Sequence, residues 1–519
     1  MEKPVVVVES DTCDQQSSNQ ALEEAGSGAD SPIQREPVPL MELERSLVGW
    51  ESLTDPMNPS PLGSSVVAPS IALTLEEFKE TSLMLGSFMV TIYVLGFAIG
   101  PLFLGPLSEI YGRRPVVVLS TWFFNAWVLG SALAPTMPGL IVMRLLAGIG
   151  GSAVLTIPPA IIADLYPVEK RGFANSLIVF VQSLGPAVGP ICGGFIAQYL
   201  GWRWSYWVLL IAAGSVTVLM SIYMPESYAP RILHKKAQRL QKETGRTDLH
   251  SQLSLNLDTK TILARSIARP AKMLISSPIV ILICAYVATV YGFLYLMFTT
   301  IPTVFGEAYG WPTSLAGLAY TPLGLGMLMA LCILMKTNDA TLIKLTKKNN
   351  HVYERKPDHD PKIRTSDEMA CNTPAEMRLP ATIYYAAFVP VSLFWYGWSV
   401  EKKAHWYAPL PTHSKEARRT QELTSVCGTH HRAVPIVGLV PYGFGMIGIF
   451  MPCQTYLVDV FPKYAASAVA TSRASLSIMG AFLPLAGPPL YESLGVGYGN
   501  TVLGALALVM TPIPLLLYK

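Results

Sequence analysis

Residues 185–194 read GPAVGPICGG and lie inside a long apolar run. Three glycines recur about one helical turn apart, at Gly185, Gly189 and Gly193, and such spacing lets another backbone approach a membrane helix closely. The two prolines of this segment each remove a backbone donor and clash with the preceding turn, so the helix must bend there. The segment predicts a kinked helix with a small-residue groove. It suits either a pivot between moving parts or plain helix packing.

The composition is that of a membrane protein with many spans. The chain has 519 residues, of which 51% are hydrophobic and only 14% are charged, whereas soluble domains carry about 25% charged residues. A net charge of +3 gives no indication of nucleic-acid binding. The expected partners are therefore a small-molecule substrate and the lipid bilayer. The seven cysteines are scattered, which indicates buried hydrophobic side chains rather than a disulfide framework.

Eleven apolar runs of about 20 residues are long enough to cross a bilayer. A polar stretch at 226–276 separates five of them from the other six. The predicted fold is therefore an all-α polytopic membrane protein with two helical halves. The predicted spans lie near residues 83–106, 115–134, 139–161, 173–199, 204–224, 278–302, 314–335, 379–400, 434–457, 466–490 and 496–518.

The basic residues predict which side of the membrane each connection occupies. Arg113 and Lys170 lie on alternate connections, and the polar stretch at 226–276 adds ten basic residues against four acids. Cytosolic connections carry the excess of Lys and Arg, so this side is predicted to be the cytosol. Residues 1–59 are polar and acid-rich, and we expect a disordered cytosolic tail there.

Five spans against six indicate a two-fold repeat that lacks one helix. The missing helix would precede residue 83, where Pro61–Leu75 is too short to span a bilayer. We expect a re-entrant or interfacial segment there. The predicted division is an N-terminal half at 60–225 with its first helix mostly missing, a cytosolic loop at 226–276 and a C-terminal half at 277–519.

A conspicuous motif follows the first clear span. A glycine-led turn, a carboxylate and paired arginines at a cytosolic helix junction can form a charge relay between helices, in which the glutamate meets arginines or a helix N-terminus. The alternative is a cytosolic anchor with one incidental glutamate. The fixed spacing favours the relay. Its residues are Gly105, Glu109, Gly112, Arg113 and Arg114.

Arg144 lies inside the apolar run GLIVMRLLAGIGGSA. A guanidinium within the membrane is costly and is rarely left without a partner or a role. Arg144 could bind a backbone carbonyl, or it could alter the pKa of a group that carries protons. The alternative is an arginine whose side chain reaches the outer interface.

Three of these segments together resemble signatures of the major facilitator superfamily. They are GPLSEIYGRRP at 105–115, RLLAGIGG at 144–151 and GPAVGPICGG at 185–194. DPMNP at 55–59 and PESYAP at 225–230 are similar to segments of fungal members. Over most of its length the chain resembles the fungal twelve-helix drug:proton antiporter group, of the multidrug and toxin efflux type.

The resemblance implies two six-helix halves and no cofactor, with the proton gradient as the energy source. It implies a role for Arg144 in proton transfer. It also implies a multi-pass location in the plasma membrane, with the vacuolar membrane as the alternative, and a monomer. The resemblance further implies that five residues determine the direction of antiport: Gly185, Gly189, Pro190, Gly193 and Gly194.

The chain departs from the family pattern in three places. Ile110 stands where the cytosolic signature usually has a basic residue, and the first helix is mostly missing. A polar, basic insertion at 411–432 interrupts a connection that should be short and external. We expect this insertion to be unstructured, with no metal site, because only two of its four potential ligands are closely spaced. Those four are His413, Cys427, His430 and His431.

Aromatic and amide residues of the spans are candidates for the wall of a central cavity. Aromatic walls with few fixed charges suit small hydrophobic or cationic organic compounds, unless the rings face lipid or interfacial belts instead. No carboxylate lies in the middle of a predicted span, although proton carriers are normally intramembrane acids or histidines. The candidates are Asn175, Gln182, Tyr291, Tyr295, Phe298, Trp395, Tyr442 and Gln454.

The sequence thus predicts a transporter, not an enzyme. It would export drugs, toxins or secondary metabolites by proton antiport, through alternating access of two six-helix halves. One alternative is a polyamine or nutrient carrier of the same superfamily. The other is a transport-inactive chain from a mis-spliced or mispredicted gene.

Overall fold

The computed structural model describes residues 60–165, 168–244, 268, 272–348, 379–402, 433–461 and 465–518. These ranges consist of helices joined by short turns, with no strand among them. All of them belong to one unit, Thr54–Lys519. The predicted N-terminal tail and the predicted insertion at 411–432 lie outside the described residues.

The N-terminal half contains nine helices among its described residues, because apolar runs alternate with glycine, proline and short polar breaks. They are α1 (Ser60–Gly63), α2 (Ile71–Glu77), α3 (Leu83–Tyr111), α4 (Arg113–Ala132), α5 (Met137–Gly151), α6 (Ala153–Thr156), α7 (Pro158–Leu165), α8 (Val168–Leu200) and α9 (Trp202–Tyr223).

One further helix, α10 (Ala229–Thr244), lies within the predicted cytosolic loop. The C-terminal half follows the same pattern of long apolar helices with short breaks. Its helices are α11 (Pro278–Tyr309), α12 (Thr313–Leu318), α13 (Thr321–Lys348), α14 (Leu379–Ala386), α15 (Phe388–Glu401), α16 (Ala433–Val437), α17 (Val440–Val460), α18 (Ala465–Phe482), α19 (Gly487–Met510) and α20 (Ile513–Tyr518).

The all-α polytopic fold is confirmed. Each of the eleven predicted spans lies on one to three of these helices. Eight helical stretches of the described ranges are long and apolar enough to cross a membrane, and the last of them, Ala468–Leu516, contains more than one helix. The end of the bundle that carries Arg113 is called the cytosolic end below, following the predicted orientation, and the opposite end is called the outer end.

One predicted boundary is wrong. A single span was expected at 466–490, but α18 ends at Phe482 and a 3-10 turn at Leu483–Ala486 leads into α19. Proline causes the break, because Pro484 cannot donate to the preceding turn. Helix α19 is itself kinked at Gly495, whose φ of 77° lies in the left-handed region that favours glycine.

The segment at 60–77 is buried among the helices and does not lie at an interface. It contains α1, a 3-10 turn at Ala68–Ser70 and α2, and Val67 has an exposed fraction of 0%. Its serine hydroxyls turn the chain locally, since Ser64 donates to the carbonyl of Pro61 at 2.8 Å and Ser70 to that of Val67 at 2.8 Å. The segment therefore occupies a place in the bundle without spanning it.

Candidate functional site

The segment at 60–77 packs against the glycine face of α8. Gly185 lies against Pro61, and Gly189 lies against the side chain of Ser65. Gly193 meets the backbone of Val66 so closely that an added Cβ would overlap its carbonyl oxygen. Only glycine allows this backbone-to-backbone contact. The three glycines predicted to form a groove thus contact the segment at 60–77.

A second face of α8 touches the C-terminal half near the outer end. An added Cβ at Gly194 would lie 2.8 Å from the carbonyl of Thr313 and 3.1 Å from Cα of Gly317, and the carbonyl of Pro190 also faces Gly317. The side-chain Oε1 of Gln198 accepts a hydrogen bond from the backbone N–H of Ser314 at 2.7 Å. The predicted antiporter segment therefore contacts both halves of the molecule.

Arg144 is buried, with an exposed fraction of 2%. Its Nε donates to the carbonyl of Met89 at 2.6 Å, and its Nη2 donates to the carbonyls of Val90 at 3.2 Å and Gly63 at 3.4 Å. Its Nη1 donates to the hydroxyl of Tyr206 at 3.2 Å. The guanidinium thus binds backbone carbonyls, one of the two roles predicted for it. It does not extend to the outer interface.

Aromatic rings complete the surroundings of Arg144. The guanidinium carbon lies 5.4 Å from the ring centre of Tyr93 and 5.8 Å from that of Tyr206, within the range of cation–π attraction. Tyr93 also donates from its hydroxyl to the carbonyl of Ser60 at 2.8 Å. Arg144 therefore links α5 to α3, to α9 and to the segment at 60–77.

Arg113, one residue of the predicted charge relay, lies at the centre of a charged network at the cytosolic end. Its Nε lies 3.0 Å from Oδ2 of Asp164, and its Nη1 donates to the hydroxyl of Ser108 at 2.7 Å. Its backbone N–H donates to Oε1 of Glu226 at 2.8 Å, and its guanidinium lies 4.8 Å from the ring centre of Tyr228. This network connects α3, α4, α7 and the chain after α9.

The carboxylates of this network differ from the expectation. Within the described ranges Arg113 pairs with Asp164 and not with Glu109, whose side chain is exposed. The likewise exposed Arg114 donates to the carbonyl of Ser221 at 2.8 Å. Partial burial raises the pKa of the Tyr228 phenol, and the nearby Glu109 carboxylate adds to the increase.

The two glycines of the relay have different roles. Gly112 has a φ of 96° and reverses the chain between α3 and α4, which brings Arg113 against α7. An added Cβ at Gly112 would also overlap the Glu226 carboxylate. An added Cβ at Gly105 would meet nothing within 4 Å. Gly112 is therefore required by the geometry, and Gly105 is not.

Three of the predicted substrate residues lie in the core. Tyr295, Phe298 and Tyr442 have exposed fractions of 1% or less. The ring of Phe298 lies 5.5 Å from that of Tyr295 and 5.3 Å from that of Tyr320. The hydroxyl of Tyr442 donates to the carbonyl of Val290 at 2.5 Å. These rings pack between helices, and their place in a substrate site stays a prediction.

The other predicted substrate residues divide into three groups. Trp395 is 44% exposed and contacts Gly438. Tyr291, Gln182 and Gln454 are partly exposed. The side chain of Asn175 lies outside the described residues.

Several residues of the site were not anticipated from the sequence. Asp164, Glu226 and Gln198 make the contacts described above, and Glu226 lies in the PESYAP segment. Arg473 is a second arginine within a span, in the short motif TSRASLS of α18. The signal that singles out Arg144, a charge in an apolar run, also applies to Arg473.

A cavity of about 430 Å³ opens near the outer end. It is lined by Ile71 and Ser87 from the N-terminal half and by threonines of α11. Three exposed carboxylates line its rim, at the ends of α11 and α15 and in the first turns of α19. They belong to Glu307, Glu401 and Glu492.

The model of one family, the Major Facilitator Superfamily, matches residues 59–341. The chain belongs to this superfamily. The MFS transporter cpaT of Aspergillus oryzae is 37% identical over 492 residues, which cover 91% of this chain and 90% of the relative. The efflux pump radE of Floropilus chiversii is 35% identical over 498 residues, with 92% and 84% covered. Relatives of this transporter are thus transporters rather than enzymes.

Solved structures of the superfamily share the fold of this transporter. The xylose transporter XylE from E. coli, in a partially occluded inward open conformation, aligns with a TM-score of 0.56 at 18% sequence identity. The alignment covers 88% of this chain and 94% of XylE. At this identity the likeness concerns the fold alone.

Proposed function

We propose that this transporter exports small organic compounds, such as drugs, toxins or secondary metabolites, by proton antiport through alternating access. The contact of one helix face with both halves carries the proposal. Gly193 of α8 lies against Val66 in its own half, and Gly194 lies against Gly317 in the other half. Relative motion of the halves would change the second contact and leave the first in place. The name of one relative, the efflux pump radE, supports export as the direction of transport.

Arg144 is the proposed link between proton movement and helix packing. Its partners are carbonyls of α3 and of the segment at 60–77, together with the hydroxyl of Tyr206. A change in charge near the guanidinium would alter hydrogen bonds that join these elements. In this proposal a proton that binds near Arg144 changes how α3 and α5 pack against each other. It does not act by neutralising a carboxylate beside Arg144.

A yeast strain that lacks its own exporters provides the test. Efflux of a panel of dyes and toxins is measured with the wild-type chain, with Arg144→Ala and with an empty vector, at equal surface expression. We expect efflux with the wild type only, and we expect an uncoupler of the proton gradient to abolish it. Efflux that persists with the uncoupler would contradict antiport.

The same assay tests the two alternative functions. A polyamine carrier is favoured by the three carboxylates at the rim of the outer cavity, Glu307, Glu401 and Glu492. Export or uptake of spermidine, without efflux of the dyes, would support it. An inactive chain is suggested by the segment at 60–77, which does not span the bundle. Surface expression with no efflux above the empty vector would support that reading.

We further propose that the transporter acts as a monomer in the plasma membrane. A fluorescent fusion in the yeast cells distinguishes the plasma membrane from the vacuolar membrane. Light scattering of the purified protein in detergent measures its oligomeric state.

A further inference from the structure

Arg473 lies within the bundle, on α18. Its guanidinium carbon is 5.1 Å from the ring centre of Phe450 on α17, and Tyr291 on α11 is close enough to interact with it electrostatically. The side chain is nevertheless partly exposed. The aromatic residues that flank it belong to two neighbouring helices, which is the arrangement expected of a side chain that faces the inside of the bundle. An arginine facing acyl chains would be strongly unfavourable.

The charge of Arg473 has no counter-charge in the described part of the chain. No carboxylate there forms an ion pair with it, and no hydrogen bond to its guanidinium is found in those ranges. A desolvated cation is costly unless it is paired and hydrogen-bonded. The ring of Phe450 offsets only part of that cost, since a cation–π contact contributes about 0.5–2 kcal/mol. An anion bound beside Arg473 would supply the counter-charge that the described residues do not.

Polar and aromatic groups surround the guanidinium of Arg473. Gln454 lies one helical turn from Phe450 on α17, and its buried Oε1 has no hydrogen-bond partner in the described ranges. The ring centre of Tyr291 lies 5.1 Å from that of Tyr295. A guanidinium, two aromatic rings and a free amide oxygen together complement a planar anion with an apolar body.

We propose that this space between α11, α17 and α18 binds amphipathic organic anions, such as aromatic carboxylates, through Arg473. The inference deepens the proposed function, since it assumes that the transported compound occupies this space. It assigns a negative charge to the preferred compounds, where the sequence alone favoured neutral or cationic ones. Phe450 and Tyr291 contact the ring of the compound, and Gln454 accepts a hydrogen bond from a donor on it.

Binding to the purified transporter in lipid nanodiscs tests this charge preference. The probes are naphthalene-2-carboxylate, naphthalene-2-carboxamide and 2-naphthylmethylammonium, which share one ring system and differ in charge. We expect the carboxylate to bind at least about tenfold more tightly than the amide, and the ammonium to bind most weakly. Arg473→Gln should make carboxylate and amide equal, while Arg473→Lys should keep part of the preference.

Two further variants separate charge recognition from a structural role. Phe450→Leu keeps the charge and removes the ring, so carboxylate and amide should weaken by the same factor. Lys235→Gln removes an exposed charge on α10 and should leave all three affinities unchanged. A general loss of structure would not alter the carboxylate-to-amide ratio selectively.

Three results would overturn the proposal. They are tighter binding of the ammonium than of the carboxylate, binding of none of the three probes, and a carboxylate preference that survives Arg473→Gln. The assay uses no proton gradient, so its outcome is independent of export. Anion preference without efflux in yeast would refute the proposed function alone, and proton-dependent efflux without anion preference would refute this inference alone.

Discussion

The two halves of the transporter each hold an arginine within their helices, and the two arginines have opposite surroundings. Arg144 donates four hydrogen bonds, three of them to backbone carbonyls, and is almost fully buried. Arg473 has a ring beside it, partial exposure and no ion pair in the described ranges. Burial of a charge therefore does not by itself indicate its role. Its hydrogen bonds show whether it holds the fold together or is free to bind something else.

The largest effect on stability is expected from a bulky side chain on the glycine face of α8, where the segment at 60–77 packs. Gly193→Leu would drive a side chain into the backbone of Val66 and displace the segment that supplies the Gly63 carbonyl to Arg144. We expect a loss of about 4 kcal/mol of stability and little folded protein. The readout is thermal unfolding of the purified protein. The control Gly214→Leu, where an added Cβ meets nothing within 4 Å, should fold normally.

Charge removal at the two arginines tests the comparison directly. Arg144→Gln should destabilise the protein by about 3 kcal/mol, because buried carbonyls lose charge-assisted partners. Arg473→Gln should change stability by less than about 0.5 kcal/mol or raise it, because it removes a desolvated charge without breaking a hydrogen bond. Thermal unfolding of both variants, measured in the same lipid, shows whether their stabilities differ in this way. Equal destabilisation would remove the distinction between the two sites.

A smaller effect is expected where the halves touch near the outer end. Gln198→Ala removes the acceptor for the Ser314 N–H, a hydrogen bond that contributes about 1 kcal/mol. The population with separated outer ends should rise about fivefold. Spin labels at Tyr199→Cys and Leu318→Cys, both exposed positions, report this separation. An unchanged distance distribution would show that the bond does not hold the halves together.

The smallest effect concerns the outer end of the segment at 60–77. Hydrogen bonds from Arg203 and Trp202 hold the pKa of Glu77 below its usual value of 4.5. A carboxylate with a lowered pKa stabilises the fold above that value, and the contribution is lost as the pH falls below it. Glu77 is half exposed, so the contribution is about 0.5 kcal/mol. Glu77→Gln should lower the melting temperature slightly at pH 7 and not at pH 3.5; a difference that persists at pH 3.5 would contradict this origin.

The helices and the groove of α8 could be predicted because their signals are local. Apolar runs, proline breaks and glycines one turn apart depend only on neighbours in the sequence. The burial of Arg144 follows from the same kind of signal. Arg473 is less conspicuous, since serine and threonine surround it in TSRASLS and interrupt the apolar run.

The partners of these residues could not be predicted from the sequence. Glu109 is close to Arg113 in sequence, yet the chain reversal at Gly112 brings Asp164 to the guanidinium instead. Trp395 and Phe298 are equally aromatic, but one is exposed and the other lies in the core. Which face of a helix turns inward depends on all the neighbouring helices. The identity of an aromatic residue does not reveal whether its side chain lies on that face.

The contact between Gly194 and Gly317 has a kinetic consequence. At this point the two halves meet through backbone alone, without side chains that interlock across the boundary. Parting them there requires no rotamer change and breaks few dispersion contacts. The rate of opening at this contact would then be insensitive to conservative changes in the surrounding side chains. The contact between Gly194 and Gly317 therefore offers little resistance to separation of the two halves.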